Sequence, residues 1–433
     1  MSYCSTRGHN EQVDAAIAIA RGLAPDGGLY VPLTFPEFAH SDFAGCETIA
    51  DTAFALVRPF VEGSVLTEDL RAICNEAFNF PIPLVPLIDA DASRLSMLEL
   101  FHGPTAAFKD VGARFLAACM ERIEGESNQP LKILVATSGD TGGAVAAAFH
   151  GRRRVEVDVF YPAGQVSARQ EQQLTCWGDN VRAFRVSGRF DDCQRLVKEV
   201  FQDNDLNERH RFSSANSINL GRLLPQMVYY AHTAMTAWNA TGEAPDFIIP
   251  TGNLGNALAC VWARRAGLPI GEIVLATNAN RTIPDYLDDG AWRPRDSIST
   301  LASAMDVGNP SNMERLRGLY PDLDEIRDQV SAHAVTDAQI AQQIKKDFKR
   351  FGQIWCPHTA TAMFVYDQLP ATRLTQRYWI AVATAHPAKF DTIVEPLIGQ
   401  SVPVPTALER LLHLPSQAHD VAAQLAALRP YYT

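Results

Sequence analysis

The chain has 433 residues, 47% of them hydrophobic and 20% charged, with a mean hydropathy of −0.08, which is enough material for two or three packed units. A formal net charge of −11, from 38 basic and 49 acidic side chains, argues against a broad nucleic-acid surface but leaves room for a locally positive pocket. The eight cysteines form no CxxC pair, which removes zinc-type spacing and a thioredoxin-type redox motif. No apolar run is long enough to span a membrane, and MSYCSTRGHNEQ carries no basic, apolar leader. A soluble, cytoplasmic protein with free thiols and no bound metal is expected.

Residues 1 to 90 read as a small, mainly helical domain. Glu11 to Leu23 is amphipathic, PDGG at 25 to 28 is a turn, and Leu29 to Val31 is a short apolar piece. Ile49 to Pro59 and Thr67 to Phe78 also read as helices, the second capped by Thr67. The proline-rich stretch Pro81 to Leu87 predicts an extended crossing. From about Leu95 the pattern becomes strand, glycine-rich turn, helix, repeated. Strands are expected at Leu98 to Leu100, Leu131 to Ala136, Val155 to Phe160, Val181 to Val186, Asp246 to Pro250, Ile273 to Ala276 and Tyr378 to Thr384. Helices are expected at Ala144 to Phe149, Cys193 to Phe201 and Ala257 to Ala266. This alternation predicts a mostly parallel α/β catalytic region over 91 to 433, with helices on both sheet faces. Residues 280 to 350 are less regular, with a charged helical stretch near 322 to 350, and read as an insertion or lid.

The stretch Met97 to Met120, MLELFHGPTAAFKDVGARFLAACM, places a lysine at the mouth of a strand–turn–helix unit. Thr105 is a candidate N-cap, and Phe108, Val111, Phe115, Leu116 and Cys119 share one helical stripe. Lys109 lies one step off that stripe, where a desolvated ammonium loses proton affinity and becomes a usable nucleophile. The alternative is a lysine that merely snorkels from a helix start.

Loops that follow parallel strands meet at one sheet edge, where ligands bind. TSGDTGG at 137 to 143 offers the hydroxyls of Thr137, Ser138 and Thr141, the carboxylate of Asp140 and backbone N–H groups, and suits a small anion unless it is only a tight turn. TGNLGN at 251 to 256 has two glycines and the amides of Asn253 and Asn256 ahead of a helix. It is a candidate phosphate cup that matches neither the P-loop nor the dinucleotide fingerprint. Thr384, in TAHPAKF, ends a buried strand and either faces a ring nitrogen or caps the next helix, and His386 reads as structural. In SSANSINLGRLLPQ, Asn216, Ser217, Asn219, Arg222 and Gln226 include pairs that can share a helical face, and the arginine could grip a phosphate or carboxylate. A lysine, two glycine loops and a terminal hydroxyl together suggest pyridoxal 5′-phosphate.

At these residues the sequence resembles the threonine synthase family, in the longer bacterial and fungal branch of the fold-type II pyridoxal-phosphate enzymes. The resemblance runs from STRG and LAPDGGLYVP through FHGPTAAFKD, TSGDTG, SANSINLGRLLPQ, PTGNLGN, MDVGNPSN and TAHPAKF. It implies a tryptophan synthase β-like fold, two open, mostly parallel sheet domains with the cofactor between them, beside the small N-terminal domain. It also implies Lys109 as the Schiff-base lysine, Gly252, Asn253, Leu254, Gly255 and Asn256 around the cofactor phosphate, Thr384 at the pyridine nitrogen and Asp140 beside the 3′-oxygen. Leu254 stands where the family commonly has phenylalanine. The implied reaction is a carbon–oxygen lyase step on a phosphate ester, in which O-phospho-L-homoserine and water give L-threonine and phosphate. Ser138 and Thr141 would meet the substrate carboxylate, and Arg222 with Asn219, or Lys389 or Ser311, its phosphate. A monomer or homodimer is expected. The competing readings are a serine/threonine dehydratase, a phospholyase acting on an amino-alcohol phosphate, and a silent paralogue that only binds ligand.

Overall fold

The computed structural model describes residues 1–88, 94–124, 129–137 and 139–432. The boundary expected at 90 lies outside the described residues. Thirteen strands occur among those described: β1 (Tyr3–Ser5), β2 (Tyr30–Pro32), β3 (Leu84–Pro86), β4 (Leu95–Glu99), β5 (Leu131–Ala136), β6 (Val155–Pro162), β7 (Val181–Ser187), β8 (Arg211–Ser214), β9 (Asp246–Pro250), β10 (Ile273–Thr277), β11 (Ser331–Ala334), β12 (Trp379–Ala383) and β13 (His419–Ala422). β1 and β2 form an antiparallel ribbon with Tyr3 opposite Pro32. A six-stranded sheet has the order β11-β10-β9-β12-β4-β3, parallel throughout except for the antiparallel edge strand β3. A five-stranded sheet, β13-β7-β6-β5-β8, is entirely parallel.

The central strands explain themselves. Every residue of β5, β9, β10 and β12 is buried, as strands covered on both faces require. The two charged groups inside them are neutralised locally: Lys132 pairs with Glu156, and Asp246 accepts from Arg377 Nη2 at 2.6 Å. One core runs from Ile19 and Phe60 in the N-terminal segment to Leu116 and Met227 in the helices beneath the sheets, and a second lies around Trp379 and Met363.

Several expected elements take a different form. The first helix is only Ala15–Arg21, because Val13 is drawn into a two-way backbone bridge with Tyr3 and Asp14 becomes the N-cap, accepting from Ile17 N at 2.9 Å. Thr67 caps no helix start. Its hydroxyl donates to Val61 O and Ser64 O at 2.9 and 2.8 Å, closing the end of helix Ile49–Val61, and the next helix begins at Leu70. The segment 280 to 350 is not a simple insertion. It supplies β11, which extends the six-stranded sheet beside β10, and β11 interrupts the charged helix expected over 322 to 350 into Leu323–Gln329 and Asp337–Phe351.

Candidate functional site

β4 runs into the turn at 102–104, and helix Lys109–Glu124 begins on the reactive-lysine candidate itself. Thr105 does not cap this helix. Asp110, in its first turn, folds back so that its two carboxylate oxygens accept from Thr105 N and Oγ1 at 2.9 and 2.6 Å. The turn is thereby locked and Lys109 is fixed at the floor of a cavity of about 680 Å³ between the two large sheets. Its side chain is 13% exposed, with Nζ 3.8 Å from Asp140 Oδ2. Burial brings its pKa down to about 8; Asp140 opposes the shift, and the positive charges of Lys389 and Arg222 add to it. The desolvated amine expected from the sequence is present.

The loop after β5 is largely self-contained. Thr137 Oγ1 accepts from Gly139 N at 3.0 Å and Gly142 N at 2.9 Å, so this hydroxyl holds the turn instead of facing a ligand as an open donor. Asp140, at the start of helix Asp140–Phe149, accepts from Lys389 Nζ at 2.8 Å and from Gln170 Nε2 at 3.1 Å through Oδ1. Burial alone would raise its pKa, but Lys389 and Lys109 hold it below the ordinary carboxylate range. Thr141 lines the cavity. Ser138 lies outside the described residues.

The loop after β9 is held from outside. Asn253 donates to Ser217 Oγ and accepts from Ser311 N, both at 2.6 Å, while Asn312 Nδ2 donates to Asn253 O at 3.1 Å. Leu254 adopts a left-handed φ of 64°, unusual for a branched side chain, and helix Gly255–Arg265 starts immediately after it. Asn256 Oδ1 accepts from Tyr230 Oη at 2.8 Å and also from Tyr229, yet its buried Nδ2 has no partner among the described residues. A Cβ at Gly252 would lie 2.7 Å from Met305 Cα, so only glycine fits there. Free helix N-terminal N–H groups, an unpartnered amide donor and a backbone without a side chain form a cradle with the chemistry of a phosphate site. Gly252 to Asn256, Lys109, Asp140 and Thr384 all line the one cavity, which suits pyridoxal phosphate in size and in donors.

The substrate-side candidates separate. Arg222, Ser311 and Thr141 line the cavity, and so do Asn216, Ser217 and Gln226. Arg222 is buried, its Nη1 donates to Ala215 O at 2.5 Å, and its Nε has no partner among the described residues. Asn219 does not reach the cavity wall. Its Oδ1 accepts from Gly221 N at 2.8 Å, and its Nδ2 donates to Ile19 O and Ser214 O, so it caps a short helix and ties down the N-terminal segment. Lys389 is fully buried, and its ammonium is taken by Asp140 and by Thr105 O at 2.8 Å each; it balances charge beneath the cavity and has no free face for a substrate phosphate. His386, not Thr384, caps the following turn, accepting from Ala388 N at 3.2 Å.

With the cavity described, comparison with known proteins is decisive. Residues 79–384 match the family of pyridoxal-phosphate dependent enzymes, 2–78 match the threonine synthase N terminus, and 359–431 match the threonine synthase C-terminal family. The threonine synthase of Escherichia coli strain K12 is 37% identical over 435 residues, covering 99% of this chain and 98% of the relative. The chain belongs to the threonine synthase family. It is a pyridoxal-phosphate-dependent lyase. The solved structure of PLP-bound threonine synthase from Brucella melitensis is 33% identical with a TM-score of 0.91, covering 100% of this chain and 98% of that one. The Escherichia coli threonine synthase structure gives 36% and 0.89, covering 100% and 99%. Maize serine racemase, at 16% identity and a TM-score of 0.52, shares the fold alone.

Sequence reasoning missed two cavity features that threonine synthase membership does not explain by itself. His358 lines the floor, and the segment Ser303 to Asp306 forms a wall against Gly252. Asp306 is braced by Thr300 and Asn278 at 2.7 Å each, and burial raises its pKa to about 6. A proline at the first helical position, Cys356-Pro357-His358, was the available signal that His358 begins a helix at a sheet edge.

Proposed function

We propose that the chain converts O-phospho-L-homoserine and water into L-threonine and phosphate, as a cytoplasmic monomer or homodimer. On this reading residues 1 to 90 form an N-terminal domain packed on the two-sheet catalytic region from 91 onward. The observation that carries the reading is the convergence of Lys109, the cup at 252 to 256, Thr384 and Arg222 on one cavity. Gly252, Asn253, Leu254, Gly255 and Asn256 would hold the cofactor phosphate, with Thr384 toward the pyridine nitrogen and Asp140 toward the 3′-oxygen. When bound, the cofactor supplies an electron sink for negative charge developing at the substrate's α-carbon. Lys109 Nζ, with proton affinity already reduced by burial, takes the α-proton and returns a proton later in the β,γ-replacement. A second proton leaves the β-carbon as phosphate departs from the γ-carbon; the γ-carbon is then protonated, the hydroxyl of water adds at the β-carbon, and the α-carbon regains its proton.

Arg222 is the group best suited to the substrate phosphate, because its Nε donor is unpartnered and it lies within the cavity. Thr141 and Ser138 are assigned to the substrate carboxylate, and Ser311 supports the phosphate from the opposite wall. Asn219 and Lys389 are withdrawn from the substrate set because their polar atoms are already occupied.

The test is phosphate release from purified, cofactor-loaded protein given O-phosphohomoserine, with amino-acid analysis of the same sample. Equal phosphate and threonine, both lost in Lys109→Ala, are expected. Phosphate with 2-oxobutyrate in place of threonine would mean elimination without hydration, and would overturn the assignment in favour of a phospholyase.

A further inference from the structure

His358 occupies the second position of helix Pro357–Gln368, at the carboxyl edge of the six-stranded sheet, and is 3% exposed. It shares the cavity floor with Lys109 and Thr384, whereas the mouth is formed by exposed residues such as Pro294, Asp296, Asp191 and Gln194. Its ring is held from two sides. Ala304 N donates to Nε2 at 3.1 Å, and the Phe390 ring lies 4.9 Å away. A ring nitrogen that accepts a hydrogen bond carries no proton, so the neutral imidazole bears its hydrogen on Nδ1. Burial pushes the pKa of this histidine down to about 4, with Asp140 opposing and Lys109 and Lys389 reinforcing, which keeps the ring neutral near pH 7.

Nδ1 is the unexplained atom. It is buried and has no hydrogen-bond partner among the described residues. A buried N–H left without an acceptor is destabilising, and one on a residue that lines the cavity is placed to donate to what fills it. Asp140 is not that acceptor, being engaged with Lys389 and Gln170 and making no hydrogen bond to His358. Nor is the cofactor phosphate, whose cup at 252 to 256 has its own donors. The charged groups that act on His358 are Asp140, Lys109 and Lys389, which surround the ring end of the cofactor site.

We propose that His358 is a further cofactor-binding residue, whose Nδ1–H donates a hydrogen bond to an acceptor atom on the ring edge of bound pyridoxal phosphate. The inference rests on the assignment of this cavity to the cofactor. Ala304 selects the donor tautomer, and the floor position assigns the bond to the cofactor and not to a substrate entering from the mouth.

Two substitutions separate this role from simple packing. His358→Asn places an amide nitrogen where Nδ1 was, while His358→Gln reaches the Nε2 position and leaves the Nδ1 position empty. Cofactor affinity is read from the absorbance of enzyme diluted and re-titrated with pyridoxal phosphate. H358N should stay within about threefold of the parent, and H358Q should weaken by about tenfold, as expected for one lost hydrogen bond. The absorbance maximum of the bound cofactor should move in H358Q only. Equal weakening in both variants, or in neither, would overturn the role while leaving the cavity assignment intact. Failure of the parent protein to capture the cofactor through Lys109 would overturn the assignment itself. Nitrogen-15 spectra of the parent should show the Nδ1–H tautomer with a resonance that shifts on cofactor addition; an unmoved resonance counts against the bond.

Discussion

The loops after β5 and β9 have similar sequences, TSGDTG and TGNLGN, and both lead from a buried parallel strand into a helix. In the first, two polar side chains are committed to the protein's own structure: Thr137 closes its own turn, and Asp140 is bound by Lys389 and Gln170, while Thr141 lines the cavity. In the second, Ser217, Ser311, Asn312, Tyr229 and Tyr230 grip the loop from behind and leave Asn256 Nδ2 without a partner. Glycine and hydroxyl spacing therefore announces a turn at a sheet edge. Whether that turn is architecture or receptor depends on what the rest of the chain does with its donors.

The largest expected effect tests the architectural loop. Asp140→Asn leaves the Lys389 ammonium buried with no carboxylate, and should cost about 3–5 kcal/mol in urea unfolding of the whole chain. A loss below about 1 kcal/mol would make this loop as ligand-directed as its counterpart.

A glycine in each loop sharpens the contrast. Gly252→Ala drives a methyl group into the backbone at Met305 and should weaken cofactor binding by about ten- to a hundredfold, following the usual 1–3 kcal/mol of overpacking. Gly143→Ala, inside the helix that the first loop enters, meets only Gln173, its Cβ nearest at an ordinary 3.4 Å, so thermal unfolding should show neutrality or a gain of up to about 1 kcal/mol.

The smallest effects divide two residues three apart in sequence. Asn219→Ala removes a helix cap and should lower stability by about 1 kcal/mol with KM unchanged. Arg222→Ala should raise KM for the phosphorylated substrate while cofactor absorbance stays normal. Reversed outcomes would return Asn219 to the site.

Much of this was legible because burial leaves a periodic record. The buried strands β5, β9, β10 and β12 stand out as runs rich in Val, Ile, Leu and Ala, and the cup residues and Thr384 fall at the ends of β9 and β12. The ribbon strands β1 and β2 and the edge strands β8, β11 and β13 are three or four residues long, too short for alternation to register. Side-chain allegiance was equally hidden. Nothing in SINLGR says that Asn219 turns inward to Ile19 O while Arg222 reaches the cavity, since both choices depend on partners about two hundred or about a hundred residues away along the chain. Lys389 was misjudged for the same reason: a lysine beside a binding loop reads as a ligand group until its buried carboxylate partner is known.

That carboxylate has a mechanical meaning as well. Lys389 follows β12 of one large sheet and Asp140 follows β5 of the other, so their 2.8 Å contact joins the two at the floor of the cleft. Nearby, Ser167 donates to Lys389 O at 3.2 Å, Arg169 donates to Ala388 O at 2.6 Å, and Arg169 pairs with Asp391. Two plates riveted along their base can swing only at the free rim. Any widening of the cleft is therefore expected to displace Pro294 to Ser297 and Asp191 to Gln194 more than Lys109, a difference that hydrogen exchange with and without substrate would read.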